Sequence, residues 1–291
     1  MIAADVIAAI DDLELVARLI VEGMRSGPHR SPFHGFSTEF SQHRPYRPGD
    51  DFRHLDWKLL ARTDRLYSRQ FRETTNLSAM LVLDASASMG FGSGAVTKFQ
   101  YAAMAAAALA HLLVEGGDRG GLMAASGPAL TYVPPRGGKP HLRTLLAAIA
   151  RIEPSGTFDP PRAIARAAEL LDRRGLLFVL SDFYDAGTET RRELRRAARR
   201  GHEVTMLHVV DRQEVAFGYR GSVEFEDLES GARRVIDTAR EADGYRSTMT
   251  AFLDDWRTSA RRDGMDYARF VTDQPPAEAL RSYLIQRGSP A

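Results

Sequence analysis

Five oxygen-bearing side chains in this 291-residue chain have the types and spacing to hold a cation. In "LVLDASASM" (81–89) three apolar residues lead into Asp84, Ser86 and Ser88. An extended chain points alternate side chains to one side, so these three converge on one point. A second apolar run, "GLLFVLS" (175–181), ends at Asp182, and Thr157 lies between the two in the loop "EPSGTFDPP". Carboxylates and hydroxyls without histidine or cysteine suit a hard divalent cation. Magnesium takes about six oxygens at about 2.1 Å and usually keeps water or a partner's oxygen in its shell. Asp84 and Asp182 bring two negative charges to balance such an ion (Mg2+, or Mn2+). One position is left open for an Asp or Glu carboxylate offered by a protein partner. The competing reading has the serines capping the next segment and the aspartates bonding turn amides.

To meet, these residues must sit at one solvent-facing edge of a sheet. Short apolar runs at 79–84, 121–126, 176–181, 203–209 and 266–271 alternate with helical patterns at 97–115, 139–152, 160–173, 188–200, 240–263 and 275–286. That rhythm predicts an α/β fold with a mostly parallel sheet and helices on both faces. Such sheets bind ligands beyond the carboxyl ends of their strands, where strand order reverses. Residues 129–134 read as a short antiparallel edge strand, and 211–238 as a β-hairpin insertion turning at "ESG". An amphipathic helix opens the chain, and residues 25–57 read as loops and short strands. The expected division is an extension over 1–75, packed on a main domain over 76–291.

"DASAS", a loop threonine and a later strand-ending aspartate resemble the metal-ion-dependent adhesion site of Rossmann-like von Willebrand factor A domains. That resemblance implies metal ligation by Ser86, Ser88, Thr157, Asp84 and Asp182, directly or through water. One departure is "SDF" at 181–183, where many members have glycine after the aspartate, so a different turn is expected there. "YRPGDDFRHLDWKLLAR" (46–62), "DASASMGFG" (84–92), "EGGDRGGL" (115–122) and "LSDFYD" (180–185) resemble the bacterial domain-of-unknown-function 58 family. Its members are typically encoded beside MoxR-type AAA+ ATPases, so such an ATPase is an implied partner.

Other signals narrow the function. With 39 basic against 38 acidic residues, net charge gives no general case for nucleic acid. Absence of cysteine excludes disulfides and thiolate chemistry. The acidic N-terminus is neither a signal peptide nor a membrane span, and no apolar run is long enough to cross a bilayer, so a cytoplasmic protein is expected. There is no phosphate loop, no G-x-S-x-G elbow and no H-E-x-x-H, and the position two residues after Asp84 is a serine. A non-catalytic, cation-dependent protein-binding module is the resulting expectation. The alternatives are a metal-dependent hydrolase on the same oxygens, or nucleic-acid binding through "RRELRRAARR" (191–200). His29, His34, His43 and His54 match no metal spacing. Phe52, Trp57 and Leu60 are expected to dock residues 46–72 on the main domain.

Overall fold

A computed structural model describes residues 12–25, 42–45, 67–70, 77–127, 129–171 and 174–288. Helix α1 (Leu13–Arg25) comes first, then strands β1 (Gln42–Pro45) and β2 (Tyr67–Gln70), which pair antiparallel. The main domain runs β3 (Ser78–Asp84), a 3-10 turn (Ala87–Gly90), α2 (Lys98–Glu115), β4 (Arg119–Ser126), β5 (Ala129–Arg136), α3 (Lys139–Ala150) and α4 (Pro160–Leu170). It continues through β6 (Gly175–Ser181), α5 (Thr188–Arg199), β7 (Glu203–Val210), α6 (Arg212–Ala216), β8 (Ser222–Glu226), β9 (Arg233–Asp237), α7 (Thr238–Arg262), β10 (Asp266–Val271) and α8 (Pro276–Gly288).

The six-stranded sheet has the order β10-β7-β6-β3-β4-β5, parallel except where β5 runs antiparallel to β4. Every residue of β3 and β6 is buried, as expected for strands covered on both faces. The two-residue period splits them cleanly. Leu81, Leu83, Phe178 and Leu180 join the core under α1, α2, α3 and α8. Met80, Val82, Leu177 and Val179 join the core under α4, α5 and α7. These are the layers of an α/β domain with a mostly parallel sheet covered on both faces.

Helix α2 begins at a capping box in which the Thr97 hydroxyl accepts from the Gln100 amide and the Gln100 side chain accepts from the Thr97 amide. Its run of alanines, all buried, lets the helix lie close to the sheet. The chain leaves β3 toward β4 and later returns to β6 on the other side, so order reverses between β3 and β6. The crevice expected for a ligand therefore lies beyond Asp84 and Ser181.

The hairpin insertion is present as β8 and β9, turning between Asp227 and Gly231. The short α6 in front of it was not expected. It forms because Asp211 and Glu214 make a second capping box. Phe52, Trp57 and Leu60 lie outside the described residues, as do His29, His34 and His54. No described helix is long and apolar enough to cross a membrane.

Candidate cation-binding site

Asp84 ends β3 with its carboxylate turned inward. Its Oδ1 accepts from the Ser86 amide at 2.9 Å and the Ser86 hydroxyl at 2.7 Å, and its Oδ2 accepts from the Ser181 hydroxyl at 2.6 Å. The Ser86 and Ser88 hydroxyl oxygens are 3.0 Å apart, and Ser88 donates to Asp182 Oδ2 at 3.3 Å. Asp84, Ser86, Ser88 and Asp182 thus form one continuous line of oxygens across the β3–β6 crevice.

The donor spacing fits a divalent ion. Neighbouring oxygens of an octahedron with bonds of about 2.1 Å lie about 3.0 Å apart. The three successive separations, 2.7, 3.0 and 3.3 Å, bracket that edge. Among the described residues no three His, Cys, Asp or Glu side chains form a metal cluster, so an ion here must lean on the serine hydroxyls.

Thr157 is placed differently. The loop carrying it is laid on the Asp84–Ser88 turn by backbone bonds: Ala87 donates to the Gly156 carbonyl at 2.8 Å and Ser155 to the Ala85 carbonyl at 2.9 Å. The Ser126 hydroxyl donates to the Glu153 carbonyl at 2.6 Å and fixes the loop's other side. Gly156 has φ +60°, and a Cβ there would meet the Gly127 Cα at 2.7 Å. The loop is therefore positioned, but the Thr157 side chain is exposed and shares no hydrogen bond with the other four residues.

Two expectations need correction. Asp84 is not on a solvent-facing edge: it is 3 % exposed and Asp182 2 %. Burial, and then the Asp182 carboxylate, push the Asp84 carboxyl up to about 7. Nor is the turn after Asp182 free of the constraint a glycine would meet. Phe183 takes φ +55°, the left-handed region, with its ring buried 5.1 Å from Trp256 and 5.2 Å from His208.

The residue that the sequence did not assign to the site is Lys98. Its Nζ lies 2.6 Å from Asp182 Oδ2 and 2.7 Å from Glu214 Oε1, and 4.8 Å from the centre of the Tyr184 ring. Burial opposes its charge, but Asp182 and Glu214 outweigh that and hold its pKa above the usual lysine value. The available signal was a lysine opening a helix otherwise apolar nearly all round. Ser181, ahead of Asp182, was also missed.

The arginine helix is met by acidic side chains, on itself and on or just after α7. Arg191 pairs with Asp255 and Arg195 with Asp263, while Arg192 and Arg196 reach Glu193. Arg191 also stacks 3.8 Å above the Trp256 ring.

A doubly wound α/β sheet with an oxygen cluster at its switch point defines the class of architecture. Within it, the chain belongs to the family described as "Protein of unknown function DUF58", whose model matches residues 42–251. It is 37% identical over 267 residues to the uncharacterized protein Rv1480 of Mycobacterium tuberculosis (strain ATCC 25618 / H37Rv), covering 91% of this chain and 80% of that one. It is 30% identical over 137 residues to the uncharacterized protein YeaD of Bacillus subtilis (strain 168), covering 47% and 32%. Similar solved structures include an aerotolerance-related membrane protein from Bacteroides fragilis NCTC 9343, with 17% identity, a TM-score of 0.49 and coverage of 73% of this chain and 98% of that one. The SpRpn10 VWA domain has 13% identity, a TM-score of 0.43 and coverage of 74% and 96%.

Proposed function

We propose that this protein is a divalent-cation-dependent protein-binding module of the cytoplasm. Asp84, Ser86, Ser88 and Asp182 hold Mg2+ or Mn2+, with Thr157 joining from the docked loop. The ion's open position accepts an Asp or Glu carboxylate from the partner. One observation carries the reading: four oxygens in an unbroken line at octahedral spacing, at the crevice where an α/β sheet takes its ligand. Bound there, the ion would supply a partly dehydrated positive centre for a charge-assisted bond. The residues themselves orient the oxygens and keep bulk water from the back of the site. Resemblance to proteins encoded beside MoxR-type AAA+ ATPases makes such an ATPase the first partner to test, with this chain as its adaptor in assembling or remodelling other proteins.

A non-catalytic role fits the surroundings. His208, beside Asp182, is wholly buried, and burial lowers its pKa to about 3, so it is a neutral imidazole walled off from solvent. The test is capture of partners from lysate by the full chain, with magnesium and with chelator, using Ser88→Ala as the control. Partners retained equally in chelator would end the reading. Magnesium-dependent turnover of generic phosphoesters would replace it with a hydrolase.

A further inference from the structure

The two edges of the six-stranded sheet are built differently. At one, β5 carries Pro134 and Pro135, which cannot donate to a further strand. At the other, β10 has no proline and pairs only with β7. The Thr272 amide donates to the Val210 carbonyl at 3.1 Å. By the alternation of a strand, the backbone groups of Ala268 and Phe270 also turn to β7, and those of Tyr267 and Arg269 turn outward. Among the described residues no further strand or loop bonds to them.

Helices α7 and α8 flank this edge on opposite faces of the sheet. With β10 they enclose a cleft of about 420 Å³, a size usual for ligand sites. Arg257 and Arg261 line it from α7, Tyr267 and Arg269 from β10, and Ser282 and Gln286 from α8. The Tyr267 hydroxyl meets His208 Nδ1 at 3.0 Å, which ties its side chain, and by the two-residue period that of Arg269, to the α7 face. Of the acids in the lining, Asp254 answers Arg257 at 2.9 Å, and Glu278 lies in the first turn of α8. Arg261 and Arg269 are exposed and make no ion pair among the described residues.

From this juxtaposition we propose that the β10 edge is a second protein-binding surface, which takes an acidic, extended peptide segment as a seventh strand of the sheet. The outward N–H and C=O groups of Tyr267 and Arg269 supply the ladder. Arg261 and Arg269 receive carboxylates from alternate residues of the incoming strand, those pointing to the α7 face. A second copy of this chain is a poorer occupant. Two β10 edges paired antiparallel about a two-fold axis would bring α7 against α7, setting Arg257 and Arg261 beside the same residues of the other copy. The surface is separate from the cation site, since β7 and β6 lie between β10 and β3.

The test uses the full chain in chelator, so that no divalent ion contributes. The probes are two dye-labelled peptides, blocked at both ends and of about ten residues, enough to span the six residues of β10. One alternates glutamate with threonine, the other lysine with threonine. Fluorescence anisotropy should show the acidic peptide binding at least about tenfold more tightly than the basic one. Arg261→Glu combined with Arg269→Glu should weaken it about tenfold or more. Arg269→Pro should weaken it about fivefold beyond Arg269→Ala, because proline removes the outward N–H as well as the charge and spares the bonds to β7. The Tyr267 and Arg269 amides should exchange quickly with solvent deuterium in the free protein and slowly with the acidic peptide bound. No binding, equal binding of the two peptides, or full binding by the doubly reversed protein would overturn the surface. Amides already protected without peptide, or Arg269→Pro no weaker than Arg269→Ala, would overturn strand addition. Because every titration is made without metal, either failure leaves the cation site standing.

Discussion

The ammonium of Lys98 bridges Asp182 and Glu214 at 2.6 and 2.7 Å, with 1 % of its side chain exposed. The Asp182 charge is therefore already answered inside the protein, and Glu214 is the second carboxylate on the same lysine. The balance of two carboxylates against one divalent ion survives, but by way of three carboxylates and a lysine. Because these groups lie in a low-dielectric crevice, each is costly to leave alone.

Lys98→Met should therefore destabilise the metal-free protein by about 3–5 kcal/mol, since it strands two buried carboxylates. Mn2+ should restore part of the loss by taking over the Asp182 charge. Denaturant unfolding with and without Mn2+ measures both. A loss below about 1 kcal/mol would mean that the bridge contributes no more than an exposed ion pair does.

Asp84 sets a pH dependence. Its pKa rises from 3.8 in a free chain to about 7 in the fold, so between those values the folded protein binds the extra proton. Its contribution is complete below about pH 4 and is lost as pH climbs toward 7. Melting temperature without metal should accordingly fall over that window, and Asp84→Asn should flatten the fall. Cation binding must expel the same proton, so Mn2+ affinity should rise about tenfold per pH unit up to about 7. Affinity that is flat from pH 5 to 7 would take Asp84 out of the ligand set.

Thr157→Ala separates ligation from folding. The side chain is exposed and free of hydrogen bonds to the site, so stability should change by less than about 0.5 kcal/mol. Mn2+ affinity should nonetheless drop at least about tenfold if its hydroxyl joins the shell. Wild-type affinity in a calorimetric titration would confine the site to the other four residues.

At Phe183 the comparison is between two small replacements. Alanine and glycine both remove the ring from Trp256 and His208, and each should cost about 3–5 kcal/mol. At φ +55° the glycine variant should be the more stable of the two by about 1 kcal/mol, reversing the usual order. An alanine variant as stable as the glycine one would show that the backbone relaxes when the ring is gone.

Much of this arrangement was legible in the sequence. The apolar runs of β3 and β6 and their polar endings are local properties, and the switch-point rule alone brings Asp84, Ser86, Ser88 and Asp182 together. What escaped depends on distant partners. Lys98 is 84 residues from Asp182, and nothing near it in sequence shows where its ammonium goes. The enclosure of Asp84 involves Ser181, 97 residues away, whose hydroxyl donates to it. "SDF" did flag an unusual turn, but not that a phenylalanine would occupy the glycine conformation. The chain between β1 and β2, where "PGDDFRHLDW" lies, falls outside the described residues.

The contact of Gly127 with Gly156 has a consequence for how this surface changes over time. Where two strands of backbone meet with no side chain between them, their separation is set by the missing methyl groups, and Gly156→Ala would prise the threonine loop off the crevice. The same economy releases the loop's outward-facing positions from structural duty. Glu153 contributes its carbonyl and not its carboxylate, and Thr157 shares no bond with the site. Substitutions at Glu153 or Thr157 can therefore alter the charge or bulk of the rim while the scaffold under it keeps its dimensions.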